Sequence, residues 1–149
     1  MSQSITDQEI SDAYIYLLAR LLVLRQQQLD FKEGFTWNTL KHRKPGEVDW
    51  PNPNLDVAYS EAWVAIDEKS CLLVTVPKVT DRYYVVQFLN GWGETVANIN
   101  ERAFPDHPHG EFAVCLEGSE IDLPAETRRV DVPVRYLRVL SRFALGSTP

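Results

Sequence analysis

Three apolar segments, Val57 to Ile66, Cys71 to Val76 and Tyr83 to Leu89, follow one another with only short polar links between them. Parallel neighbours need a long crossover, usually a helix, and there is no room for one here, so these strands are expected to pair antiparallel. Asp67-Glu68-Lys69-Ser70 is a link of hairpin length, and Pro77 followed by Thr80-Asp81 turns the chain before the third strand. In the first strand the odd positions carry Val57, Tyr59, Glu61, Trp63 and Ala65, and the even ones Ala58, Ser60, Ala62, Val64 and Ile66. The small residues of the even face imply that something packs close against it. Cys71 to Val76 and Tyr83 to Leu89 are apolar on both faces, as interior strands are when both sides of the sheet are covered. Ahead of them, Trp50-Pro51-Asn52-Pro53-Asn54-Leu55-Asp56 reads as a rigid lead-in turn. Its prolines fix φ, Asn52 and Asn54 can bond their own backbone, and Asp56 opens the first strand.

Outside this centre, the one clear helix begins at Thr6-Asp7-Gln8-Glu9, a capping box bracketed by Ile5 and Ile10 as a hydrophobic staple. Ile10, Ala13, Tyr14, Leu17, Leu18, Leu21 and Leu24 then recur at helical spacing, predicting an amphipathic helix over 6–27 whose apolar face needs a cover. Periodicity fades across 29–55, with a short helix expected around Asn38 to His42; the basic run Lys41-His42-Arg43-Lys44 reads as a solvated loop. Asn90-Gly91-Trp92-Gly93 breaks the third strand, and an extended piece follows from Thr95 to Ile99. Phe112, Val114 and Leu116 alternate with Glu111, Ala113, Cys115 and Glu117 as a half-exposed strand. Gly118 to Pro133 reads as a polar connection, and Val134 to Phe143 as the last strand. The expected fold is mainly β: a single domain over 1–149, with an antiparallel, jelly-roll-like two-layer β-sandwich over 56–143 behind the N-terminal helix.

A net charge of −6, from 15 Lys and Arg against 21 Asp and Glu, opposes binding to nucleic acid or acidic lipid. The N-terminus lacks a secretory signal pattern, and the apolar run from Tyr14 to Leu24 is interrupted by Arg20 and too short to span a bilayer, so a cytoplasmic location is expected. Cys71 and Cys115 sit in apolar runs without metal-ligand spacing and read as reduced core residues. There is no Gly-rich phosphate loop, dinucleotide fingerprint or nucleophile elbow, so neither a cofactor nor covalent catalysis is expected.

Three pieces of the chain, Asn52-Pro53-Asn54-Leu55-Asp56-Val57-Ala58-Tyr59-Ser60-Glu61-Ala62-Trp63, Leu73-Val74-Thr75-Val76-Pro77, and Arg82-Tyr83-Tyr84-Val85-Val86-Gln87 followed by Trp92, resemble in order and spacing the bacterial family known as DUF1254. The family carries an approximate P-N-x-D-T-L-Y-S-x-A-W, a strand ending in V-P, and R-Y-Y-x-x-Q before D-x-W. The Ala13-Tyr14 helix and Asn38 with His42 are similar to its opening segment, so the likeness covers most of the chain. It implies a β-sandwich and no established activity. Departures are Val57 in place of Thr, Asn90 in place of the Asp before the Trp, and Asn100-Glu101-Arg102 in place of Gly-Thr-Arg. Asn90 cannot take a proton as a carboxylate does. Members commonly continue into a second β-domain of the DUF1214 type, so the resemblance implies either such a partner or a homodimer, with Trp63, Phe88, Tyr136 and Leu140 as apolar outer-face candidates.

Asn54, Asp56, Tyr59, Arg82, Gln87 and Trp92 are the expected ligand-binding residues, with Arg82 gripping an anion and the aromatic groups stacking on the ligand. Arg82 itself is expected to be held by a carboxylate, Asp56 first and then Glu61 or Glu94. The leading reading is a domain that binds a small ligand or a partner protein. The alternative is a hydrolase or isomerase of a small polar substrate, with Asp56 as base, Arg82 as clamp and Tyr83 as acid. Asp106-His107-Pro108-His109-Gly110-Glu111 has two histidines and a nearby acid, but Glu111 follows too closely for a cupin-like ligand set; the stretch reads as a solvated turn that holds no metal.

Overall fold

The computed structural model describes residues 5–46 and 54–146. Trp50 to Pro53 of the expected lead-in turn fall outside them. The Asn54 part is seen: its Oδ1 accepts the Asp56 backbone N–H at 2.8 Å.

Among the described residues one helix, α1 (Asp7–Lys32), precedes eight strands: β1 (Lys41–His42), β2 (Val57–Ala65), β3 (Leu72–Val76), β4 (Tyr84–Leu89), β5 (Thr95–Ile99), β6 (Gly110–Leu116), β7 (Arg128–Val132) and β8 (Tyr136–Ala144). The Thr6 box caps α1, with the Glu9 backbone N–H on the Thr6 hydroxyl at 3.2 Å and the Glu9 carboxylate accepting from the Thr6 N–H at 2.8 Å. The helix runs on past residue 27 and stops at Gly34. There the Phe35 N–H reaches the Asp30 carbonyl and the Gly34 N–H that of Phe31. This closure puts Gly34 at φ 97°, where a side chain would be strained. No helix forms at Asn38 to His42. Asn38 takes a left-handed turn at φ 58° and bonds through its side chain to both backbone groups of Ala65, extending the sheet edge next to β1.

The five-stranded sheet has the order β1-β2-β8-β4-β5 and is antiparallel throughout. The other sheet, β3-β6-β7, is mixed: β3 and β6 are antiparallel, β6 and β7 parallel. No strand is shared, and the sheets do not close. The strand β7 arises inside what reads as a polar connection, because Val130 and Val132 alone turn inward while Arg128 and Asp131 stay exposed. Against expectation, β2, β3 and β4 do not pair with one another: β2 and β4 both pair with β8, and β3 pairs with β6 as an edge strand rather than an interior one, with Leu73 on its outer side 61 % exposed. The strand β6 is buried on both faces, Phe112 to Cys115 being fully enclosed.

The inner faces of both sheets build one core, with Val64, Phe88, Leu137 and Val139 against Val76, Phe112, Val114, Val130 and Val132. Full burial of one such side chain stabilises the fold by about 1.5–3 kcal/mol. In the β3–β6 pairing, Leu72 stands opposite Val114, and one step further Cys71 comes opposite Cys115. Both thiols are free, and burial pushes that of Cys115 up to about 11.

The C-terminal half of α1 lies on the outer face of the five-stranded sheet, held by Arg20 on the Gly91 carbonyl, Asp30 on the Trp63 indole and Phe31 against Trp37. Most of its expected apolar stripe is not covered: Tyr14, Leu17, Leu18 and Leu21 are exposed, and Ile15, Tyr16 and Leu22, off that stripe, are exposed as well. Among the described residues no helix is long and apolar enough to cross a membrane.

Candidate functional site

The alternation of β2 that sends Ala62 and Val64 into the core sends Glu61 and Trp63 to the outer face, beneath α1. Glu61 is 1 % exposed, as is Asp30 from the last turns of the helix. Burying a carboxylate costs several kcal/mol unless charge and hydrogen bonds compensate it. Both are compensated. Trp63 donates Nε1–H to Asp30 Oδ2 at 2.8 Å, and Gln26 donates Nε2–H to Asp30 Oδ1 at 2.8 Å. Arg138 of β8 donates to Glu61 Oε2 at 2.7 Å, and its Nη2 lies 3.9 Å from Asp30 Oδ2. Its guanidinium also lies over the Trp63 ring, 5.5 Å from the centroid.

Arg43 approaches Glu61 from the other side, with Nε 3.4 Å from Oε1, and grips both carboxylate oxygens of Glu33. Those hydrogen bonds, with Lys41 at 3.1 Å, hold the Glu33 carboxyl below its usual range. The basic run at Lys41 to Lys44 is therefore not a solvated loop throughout. It supplies β1 and a counter-charge to a buried acid.

Beside this network, between α1, β2, β8 and the β4–β5 turn, opens a groove of about 700 Å³. Trp37, Trp63 and Trp92 are three of the chain's four tryptophans, and all three line it with Tyr136. Among the described residues, Arg20, Arg135 and Arg138 are its charged residues, with Gln27 and Asn90 beside them, and no carboxylate lines it. Arg20 reaches the groove by donating to the Gly91 carbonyl at 2.9 Å. Only glycine allows that approach, since a Cβ at position 91 would sit 2.6 Å from Arg20 Nη1. Tyr16 packs edge-on against Trp92, and Trp37 against both Phe31 and Tyr136. Arg138 Nε is buried and makes no hydrogen bond among the described residues.

The residues expected to bind ligand are not brought together. Arg82 and Trp92 stand beyond opposite ends of β4. Asp56 lies at the Arg82 end, where Leu145 bonds its carbonyl and Ala144 that of Tyr83. Among the described residues no carboxylate pairs with Arg82, so the expected Asp56, Glu61 or Glu94 partnership is not formed; its guanidinium lies instead against the backbone of Gly146. An open hollow of about 440 Å³ is lined by Arg82, Tyr83, Asn100 and Glu101, and Asp56 is not part of its wall. Tyr59 is buried with Val57 and Leu140 on the outer face. Gln87 is spent between Arg142 at 3.1 Å and Thr95 at 2.7 Å. Asn54 holds only its own turn.

The histidine turn is less solvated than its sequence suggests. His107 packs edge-on against Phe112 with Nε2 buried and unbonded, and Tyr84 donates its hydroxyl to the Pro108 carbonyl. Among the described residues no three His, Cys, Asp or Glu side chains gather as metal ligands would.

Comparison with solved structures gives the VPA0106 protein of Vibrio parahaemolyticus, at TM-score 0.67 and 17% identity over 91% of this chain and 32% of that one. It also gives an uncharacterized protein of Burkholderia cenocepacia, at TM-score 0.54 and 17% identity over 76% of this chain and 33% of that one. The chain thus spans about a third of the length of each. No curated protein matches it. Residues 37–149 match the profile of a protein family of unknown function, and on that match the chain belongs to the DUF1254 family.

Proposed function

We infer that this chain is a ligand-binding domain, a jelly-roll-like two-layer sandwich that takes a small, flat anion such as an aromatic carboxylate in the groove beneath α1. The observation that carries the reading is the composition of that groove among the described residues: three tryptophans, three arginines and no carboxylate, in a protein whose net charge is −6. Arg138 is paired with Glu61 and Arg135 with Glu68, which leaves Arg20, bonded to the Gly91 carbonyl, as the lining guanidinium without a carboxylate partner among the described residues. Tryptophan faces offer stacking to a planar body, and guanidinium matches a carboxylate in two parallel hydrogen bonds. A cavity of this size suits a small molecule. The alternative reading, a hydrolase or isomerase working through Asp56, Arg82 and Tyr83, has no common cavity for its base and acid.

Titration of the tryptophan fluorescence with 2-naphthoate and with its uncharged amide tests the proposal. Naphthoate should bind about tenfold or more tighter than the amide, a margin set by one charge-assisted pair. Trp92→Ala and Arg20→Ala should each weaken it, and Arg82→Ala should not. Equal affinity for acid and amide, or a loss on changing Arg82 alone, would move the site elsewhere.

A further inference from the structure

The five-stranded sheet and the edge strand β3 leave a cleft of about 470 Å³ between them. Its origin is legible in β2, whose inward residues Ala58, Ser60 and Ala62 are too small to fill the space, while Leu72, Val74 and Val76 form the facing wall. Among the described residues no Asp, Glu, Lys or Arg lines it. Asn38 and Thr75 at the rim are already bonded, to Ala65 and Glu111. What remains is one polar spot. Ser60 stands opposite Ser141 in the β2–β8 register, and His42 Nδ1 lies 2.7 Å from Ser60 Oγ. Ser141 is 4 % exposed and faces the cleft, and its hydroxyl makes no hydrogen bond among the described residues. A hydroxyl that faces an otherwise apolar cleft offers a hydrogen-bond partner to one polar group of a ligand.

We propose that this cleft binds a slender, uncharged aliphatic molecule with one hydroxyl or carbonyl group. The polar end sits between Ser141 and the His42–Ser60 pair, and the chain runs between the sheets over Ala58 and Ala62. Charge is excluded because the cleft offers no counter-ion. Width is limited because only the alanines and serines make room. The site lies on the inner face of the strands whose outer face carries the tryptophan groove, so the two bind independently.

Calorimetric titration of the full chain with straight-chain primary alcohols of increasing length is the test. Affinity should rise about fourfold per added methylene, the value of one buried CH₂, and then level off once the cleft is filled. The carboxylate of the same length should bind about tenfold or more weakly. Ala62→Leu fills the cleft and should abolish binding. Ser141→Ala leaves the volume intact, and should cost about fivefold to tenfold while keeping the dependence on chain length. Trp92→Ala should change nothing. The proposal is overturned by affinity independent of chain length, by equal binding of the carboxylate, by wild-type affinity in folded Ala62→Leu, or by loss in Trp92→Ala.

Discussion

Truncating Arg138 to alanine would leave Glu61, 1 % exposed, with Arg43 at 3.4 Å as its remaining counter-charge. An uncompensated buried charge is expensive, so Arg138→Ala should cost about 3 kcal/mol of stability. Arg135→Ala removes an equally well-made pair with Glu68, yet that pair is 47 % and 59 % exposed, and its loss should cost far less than that of Arg138. Urea unfolding with an unchanged slope would measure both, and similar costs for the two would refute the importance of burial here. The sequence offers half of this arrangement. Glu61 is an acid in an otherwise apolar strand and demands a partner wherever it points inward. Asp30 and Arg138 give no such signal, because a charged residue between apolar neighbours, Leu29 and Phe31 or Leu137 and Val139, is also what an exposed face looks like. Arg82 shows the reverse error: beside two tyrosines it looks anchored, but the chain passes it at an exposed strand end.

At the level of elements, the strands of β2, β3 and β4 were legible because each carries a predominantly apolar run between turn residues. Their partners were not, since pairing depends on register and on contacts far apart in sequence. The strand β7 shows why: Val130 and Val132 suffice to bury one face, and Arg129 braces the long connection before it by donating to the Ser119 carbonyl at 2.6 Å. The helix was legible at its start, where the Thr6 box has a fixed spacing. Glu9 is held below its usual 4.5 by the Thr6 backbone and side-chain hydrogen bonds. Glu33 is likewise lowered by Arg43, and Glu68 by Arg135. A carboxyl whose folded value is depressed contributes stability fully above its unfolded value, and that contribution is lost as the pH falls through the folded one. Stability should therefore decline as the pH drops below about 4.5. Well above that window, Thr6→Ala should already show the fraying that acid produces in wild type. Amide exchange in the first turn should be about fivefold faster at pH 7, with the core strands unchanged.

For the molecule as a whole, the apolar surface left uncovered is not the sheet face that the strand pattern suggests. Trp63, Phe88 and Leu140 are 3 %, 0 % and 9 % exposed, and only Tyr136 remains outside. The surface in question is α1, where Ile15, Tyr16 and Leu22 are 70 %, 71 % and 53 % exposed. A contiguous apolar patch beyond a few hundred Å² usually marks association. We expect the isolated chain to self-associate through α1, or to pair with a separate domain there. Sedimentation equilibrium at micromolar concentration should show species heavier than 17.1 kDa, and Ile15→Lys with Leu22→Lys should restore a monomer. A single 17.1 kDa species at every concentration, binding no hydrophobic dye, would exclude it. The buried charges beneath the helix have a consequence in another currency, that of descent. Asp30, Glu61, Arg43 and Arg138 come from four separate parts of the chain, yet each is tolerable only while the others are present. A lineage that drifts to a neutral residue at Glu61 gains little until Arg138 has changed too, so substitutions at these positions should arrive in company, and the places where they do would mark which relatives still fold a helix onto this face.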